Sequence, residues 1–474
     1  MSNVNLVYNV KDKPPFGRSL LFALQQLLAI MAATIAVPAI IGNGMSASAA
    51  LFGAGIGTLV YLLFTKFRSP VFLGSSFAFL SSMFAAFAGA ASVSVGYIGI
   101  IIGAVMAGLV YVVIAIIVKF AGTNWIDKIM PAAVIGPTVA IIGLSLAGNA
   151  IGDLLKTGLG VAPNWNTGFS AYEVTTTSLI SLLCGLVTLI TVIVCSVYGK
   201  KMFKMIPFVI GILAGYILAS IFTIIGHVAE INELLIIDFA KFSSMKWYPD
   251  FTFVEGIKGN GFNGITGSYI ATLAVAYVPV AFVVFAEHLA DHKNISTIID
   301  KDLTKDPGLH RTLLGDGIGS MAGAFFGGCP NTTYGESIAC VAISGNASVI
   351  TILYTSIMAI VISFIGPFST FLSTIPNCVM GGVCISLYGF IAVSGLKMIQ
   401  KVDLSENKNL FVVSVILIAG VGNLAILFGG KIKLTNIACA LILGIIVNLV
   451  CNAKSKKAVA KPETLDEVAP TEDK

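Results

Sequence analysis

Charge is scarce in this chain: Asp, Glu, Lys and Arg make up 11% of its 474 residues, against about a quarter in ordinary soluble domains. With 57% of the residues apolar, that scarcity excludes one water-soluble core, because such cores stop growing near about 250–300 residues. Paired cysteine is also missing. The eight cysteines (184, 195, 329, 340, 378, 384, 439 and 451) form no Cys-x-x-Cys pair and no cluster with His. They read as small buried hydrophobes, not as disulfides or a metal site. A concentrated basic face is absent too. The net charge is +5, but the basic residues lie at the ends of apolar runs, which gives no nucleic-acid partner. A short signal-type apolar region is not expected either, since the first such stretch is too long and follows about eighteen polar residues.

What the chain does have is apolar length. Runs between polar breaks fall at 19–41, 49–66, 75–92, 96–120, 130–150, 175–197, 206–226, 268–290, 308–327, 334–345, 347–368, 378–396, 409–429 and 433–452. Fourteen spans are therefore expected, those after Pro70 and Pro330 being short and broken, in an all-α polytopic membrane protein with lipid as its solvent. Charge asymmetry tests the number. With the N-terminus inside, most of the 28 basic residues fall on cytoplasmic stretches, and only Lys156, Lys241, Lys246, Lys258, Lys431 and Lys433 fall outside. This positive-inside bias puts both termini in the cytoplasm of a multi-pass cell-membrane protein. Losing one span would scramble it.

The organisation that follows is a cytoplasmic N-terminus (1–18), seven spans (19–226), an extracellular connection (227–267), seven more spans (268–452) and a tail (453–474). The tail is rich in Lys, Glu, Asp and Pro and reads as disordered. Seven is odd, so a repeat of the first half would be inverted in the membrane. An internal echo agrees. Ser69-Pro70-Val71-Phe72-Leu73-Gly74-Ser75-Ser76-Phe77 opens the third span, and Cys329-Pro330-Asn331-Thr332-Thr333-Tyr334-Gly335-Glu336 opens the tenth. Proline removes a donor and pushes the preceding residue toward extended geometry. Non-helical backbone at membrane depth must pair within the protein or line a cavity. The two strings are expected to pair with each other, leaving the first N–H groups of two half-helices facing a cavity.

Between Arg311 and Lys397 only Asp316 and Glu336 are charged. A carboxylate at the bilayer centre costs about 2.5–3.5 kcal/mol on insertion scales, so Glu336 marks a functional site. Glu287 follows the seventeen uncharged residues from Ile270 to Ala286 and shares a helix face with Asp291, four residues on. Two nearby carboxylates suit proton coupling, with Asp291 as relay or structural partner. Hydrolysis is the rival chemistry, but no protease-like string accompanies these acids, so no enzyme is expected. His292 reads as part of the solvated helix end. Asp316 reads as structural support for backbone freed by the broken helices. Gln25-Gln26 is either cavity-facing or an interhelical clamp. Tyr388 is either a packing aromatic or a lid over a flat ligand.

These strings together resemble the nucleobase–ascorbate transporter family, and most closely its bacterial uracil permeases, over about residues 15–452. The pieces that carry the resemblance are Pro70 to Phe79, Ala286-Glu287-His288, Gly308-Leu309-His310-Arg311 and Pro330 to Glu336. The resemblance implies fourteen segments in two inverted seven-segment repeats. Segments 1–4 and 8–11 would form a core domain and 5–7 and 12–14 a gate domain, with short antiparallel strands in segments 3 and 10. It also implies a homodimer in membrane lipid. Carried over, Glu287 would accept the ring N–H edge of uracil and Glu336 would hold a second edge. The backbone N–H groups of Phe77 and Gly335 would bind the exocyclic oxygens, Ser76 would stand beside them, and Tyr334 and Tyr388 would be cavity aromatics. Glu287 and Asp291 would couple transport to protons, with sodium an open second ion and no cofactor or metal. Two rivals remain: a purine (xanthine or urate) permease of the same family, and an anion transporter of the same architecture. The chain departs from the family pattern at Gln26 (His there), Ser337 (Asn), Ala339 (Gly), Ser344 (Thr) and Asp291 (His in some uracil permeases).

Overall fold

The structure, a computed structural model, describes residues 6–155, 175–200, 203–204, 206–428 and 432–453. The expected tail from Lys454 lies outside the described residues, as do Lys156, Lys201 and Lys431 of the charge pattern. The first half runs α1 (Phe16–Ile41), α2 (Ala47–Phe64), β1 (Leu73–Ser75), a 3-10 turn (Phe77–Phe79) leading into α3 (Leu80–Ala88), α4 (Val93–Ala121), α5 (Asn124–Ile129), α6 (Ala132–Ser145), α7 (Ala147–Leu155), α8 (Thr176–Tyr198) and α9 (Pro207–Ala229). The connection carries α10 (Thr252–Lys258). The second half runs α11 (Gly267–Ile298), α12 (Leu309–Gly327), β2 (Asn331–Thr333), α13 (Gly335–Ser344), α14 (Val349–Ile362), α15 (Gly366–Thr374), α16 (Asn377–Ile399), α17 (Asn407–Val421), β3 (Ile426–Phe428), β4 (Ile432–Leu434) and α18 (Asn436–Asn452).

Each of the fourteen apolar stretches therefore carries helix. Among the described residues, eight helices are long and apolar enough to cross a membrane, with α6 and α7 taken together as one of them. A ninth span arises if α14 and α15, bent by 85° at their junction, are taken together. The stretch 347–368 was expected as one segment, and Pro367 in the first turn of α15 helps explain why it breaks. The antiparallel pair β3–β4 was not expected from the sequence.

Helices α2, α4, α11, α12 and α14 pack on one another, with α1 laid on α14. A second group forms around α16, which packs on α6, α7 and α8, with α9 on α8 and α17 between α6 and α18. The seam between the groups runs where α11 meets α6 and α18, and where α1 meets α9 and α16. At the α2–α12 crossing glycines face glycines. A Cβ on Gly57 would sit 2.7 Å from the Gly319 carbonyl oxygen and closer still to the Asn331 amide. Small residues let the two backbones approach to that distance, as membrane helix interfaces commonly require.

The expected pairing of the two broken strings is present. β1 and β2 are antiparallel, with Leu73 opposite Thr333, Gly74 opposite Thr332 and Ser75 opposite Asn331. Around them the freed backbone finds partners inside the protein. The Ser76 N–H donates to the Pro330 carbonyl at 2.9 Å, and the Leu73 N–H donates to Thr58 Oγ1 at 2.9 Å. Thr58 is fully buried in α2 and also donates to the Ala54 carbonyl at 2.8 Å. Replacing Thr58 with Val keeps the shape but strands the Leu73 donor, a loss of about 1–3 kcal/mol. The Thr58→Val protein should accordingly unfold at lower temperature than wild type in detergent; an unchanged midpoint would remove Thr58 from the support of β1.

Candidate functional site

Against the paired strands, with Thr332 of β2 in its lining, lies a cavity of about 430 Å3 at the seam of the two helix groups. Its polar wall comes from two helices. Glu287 and Asp291 reach it from α11 and Glu336 from the first turn of α13. All three are half-buried. The four-residue spacing of Glu287 and Asp291 on an unbroken helix puts both on the cavity side, as helical geometry requires. Phe77 and Gly335, which open the two half-helices, and the ring of Tyr334 complete this wall. Neither half-helix start has a side-chain cap, so first-turn N–H groups there can be offered to a ligand. Toward one end the cavity is lined by Asn294, Lys204 and Lys397, residues at or near helix ends.

The wall is held by buried hydrogen bonds. Asp291 Oδ2 accepts from Thr333 Oγ1 at 2.7 Å, which ties the acid to β2. The Tyr334 hydroxyl donates to the Ser75 carbonyl at 2.8 Å and so locks its ring across the strand pair. Ser337 Oγ accepts from the Phe72 N–H at 3.1 Å and from Gln26 Nε2 at 2.5 Å. Gln26 Nε2 also lies 3.2 Å from the Ser337 carbonyl. Gln26 is thus an interhelical clamp, and two departures from the family pattern touch each other.

Several expected placements need correction. Tyr388 is 2% exposed and is not on the cavity wall; it stands behind Phe77, edge to face at 5.5 Å between ring centres. Ser76 is also off the wall, buried with its backbone bound to Pro330. Gln25, read as either cavity-facing or an interhelical clamp, is buried off the wall, which leaves its supporting role standing. His292 is not a solvated helix end: α11 continues to Ile298, and the ring is fully buried against Tyr61, with 2.8 Å from Nε2 to the hydroxyl. Asp316 gives support through a side chain and not through freed backbone, its Oδ2 lying 2.7 Å from His288 Nδ1. Sequence reasoning passed over Thr332, Thr333, Asn294 and Lys397. The Asn-Thr-Thr string held a signal for the threonines, since polar side chains in apolar surroundings need partners.

Three carboxylates, uncapped helix starts and aromatic faces in one pocket suit a flat polar ring that offers N–H donors and carbonyl acceptors. Removing either member of the Gln26–Ser337 contact should loosen the half-helix that carries Glu336. In a double-mutant cycle on thermal stability, Gln26→Ala and Ser337→Ala should couple by about 0.5–1.5 kcal/mol. Strict additivity would show that the contact carries no energy.

Comparison with known proteins agrees with this chemistry. The permease-family model (Xan_ur_permease) matches residues 17–428. The uracil permease of Bacillus caldolyticus is 36% identical over 456 residues, covering 95% of this chain and 96% of the relative. That of Bacillus subtilis is 36% identical over 464 residues (97% and 98%), and that of Escherichia coli K12 is 34% identical over 456 residues (96% and 95%). Among solved structures, the transmembrane domain of the cyanobacterial bicarbonate transporter BicA aligns with a TM-score of 0.58 at 15% identity, covering 92% of this chain and 96% of that one. The anion transporter Slc26a9 of mouse aligns with a TM-score of 0.61 at 12% identity, covering 94% and 69%. At such identities the likeness is one of fold. These relatives are named permeases and not enzymes, and the chain belongs to the permease family they define, the nucleobase–ascorbate transporters that its motifs resemble.

Proposed function

We propose that this protein imports uracil, or a closely related pyrimidine nucleobase, by alternating access coupled to protons. The observation that carries the reading is the placing of Glu287 and Glu336, from two different helices, on one cavity under the paired half-helix starts. Uracil has two ring N–H groups for carboxylates and two carbonyls for the N–H groups at Phe77 and Gly335. A site built to pair all four would reject analogues that lack them. The names of the curated relatives favour the same substrate.

In this reading a proton taken up near Glu287 and Asp291 favours binding from outside, and its loss inside releases the base. The fourteen stretches act as spans of two inverted repeats. Helices α1–α4 and α11–α14 form the core domain, and α6–α9 with α16–α18 the gate. The positions of β1 and β2, in the third segment of each half and antiparallel to each other, support the inversion. The basic residues Lys204 and Lys397 near one end of the cavity support its opening to the cytoplasm. A separate recess of about 500 Å3, walled by Lys241, Lys246 and Asp250 among others, shares no residue with it and is taken as the outer face. The assembly in lipid is taken to be a homodimer.

A purine substrate is the second reading, because about 430 Å3 is roomy for a single ring. Radiolabelled uracil uptake in permease-deficient cells separates the two, with xanthine and uric acid as competitors. Uracil should compete and the purines should not; the reverse order would establish the purine reading. A protonophore should collapse accumulation, and indifference to it would end the proton-coupled mechanism. Glu336→Gln replaces a charged acceptor and should weaken uracil binding by about 1.5–3 kcal/mol, roughly ten- to hundredfold. Wild-type affinity in that variant would remove Glu336 from the site.

A further inference from the structure

Away from the substrate cavity, a much smaller cavity of about 10 Å3 lies inside the first helix group. Tyr111 of α4, Asp316 and Ser320 of α12, and Asn331 of β2 line it. Three polar atoms of these residues have no hydrogen-bond partner among the described residues: Asp316 Oδ1, Asn331 Oδ1 and the Tyr111 hydroxyl. Their residues are 1%, 2% and 4% exposed. The Asn331 amide nitrogen is committed to the Gly53 carbonyl at 3.1 Å, so its oxygen can only accept. Two acceptors on one small cavity cannot satisfy each other, and buried polar groups of this kind are rarely left unpaired. The space holds one small occupant, since about 10–15 Å3 accommodates a single water.

The occupant must bring positive ends to both oxygens, so it is either a water or a small hard cation such as sodium. The ligand count decides between them. Hard cations take about six or more oxygen ligands, and of the lining residues four carry a side-chain oxygen: Tyr111, Asp316, Ser320 and Asn331. Asp316 Oδ2 is already engaged, 2.7 Å from His288 Nδ1. A water donating to Asp316 and Asn331 while accepting from Tyr111 satisfies all three atoms.

We infer that this cavity is a one-water site. The water joins α4, α12 and β2, the strand whose Thr333 holds Asp291. Sodium therefore has no seat there, whatever the transported base.

The test uses purified wild-type protein in detergent. Its thermal unfolding is compared in sodium chloride and choline chloride at equal ionic strength, because a bound ion stabilises by mass action. Equal midpoints are expected. A saturable, sodium-specific rise that the Asn331→Ala variant loses would overturn the inference. A high-resolution experimental density map offers a second check that needs no variant. One feature at about 2.7–3.0 Å from both acceptor oxygens supports the water. No feature there, or one at the roughly 2.3–2.6 Å typical of hard cations, would overturn it. Neither readout depends on which nucleobase is carried, so failure here is separate from failure of the uracil reading.

Discussion

Backbone polarity in an apolar medium is the constraint on which the rest of this structure depends. Pro70 and Pro330 break two helices where the surrounding sequence is lipid-like, and every freed N–H and C=O must then find a partner within the protein. The β1–β2 pair meets that need, helped by Thr58, Ser76 and Tyr334. Because the two strands come from opposite halves of the chain, pairing them brings two half-helix starts to one place. The candidate site exists because of that pairing. The glycine-lined approach of α2 to α12 is its other requirement, since any side chain at Gly57 would collide with Asn331 of β2.

Around this centre the polar residues divide into two populations on two different sides of α11, about 100° apart. Glu287 and Asp291 face the cavity, while His288 and His292 are fully buried on the second side. The two imidazoles stack with 3.9 Å between ring centres. One contacts Asp316 and Thr312, and the other contacts Tyr61 and its own helix backbone. Adjacent residues on one helix therefore do different jobs: the acids are available to a ligand, and the histidines hold the helix that presents them. The same economy is seen at α13, where Glu336 meets the cavity and its neighbour Ser337 is clamped by Gln26 and Phe72.

The membrane class, the apolar stretches and the strand pairing were legible in the sequence, because each rests on a local rule. Composition sets the solvent, proline sets the breaks, and helical spacing sets which acids share a face. Glu287, Asp291 and Glu336 could be named because they stand in apolar or broken strings, whereas Phe77, Tyr334 and Gly335 were named only through the family resemblance. Tyr388 was open to two readings, as packing aromatic or lid, and the structure places it in packing. His292 was misjudged because a polar run at a helix end looks solvated until a neighbouring helix is known. Tyr61, distant in sequence, turns that end into an interior.

The sequence by itself determined that this chain lives in lipid, where its helices break, and which carboxylates are too costly to be accidental. Those are consequences of transfer free energies and backbone geometry, which need only neighbouring residues. The tertiary structure decided which of those polar groups meet. Gln26 finding Ser337, Asp316 finding His288 and not backbone, and Tyr388 retreating behind Phe77 all depend on how helices far apart in the chain pack together. Partnership among buried polar groups is a non-local quantity, and only the packed fold settles it.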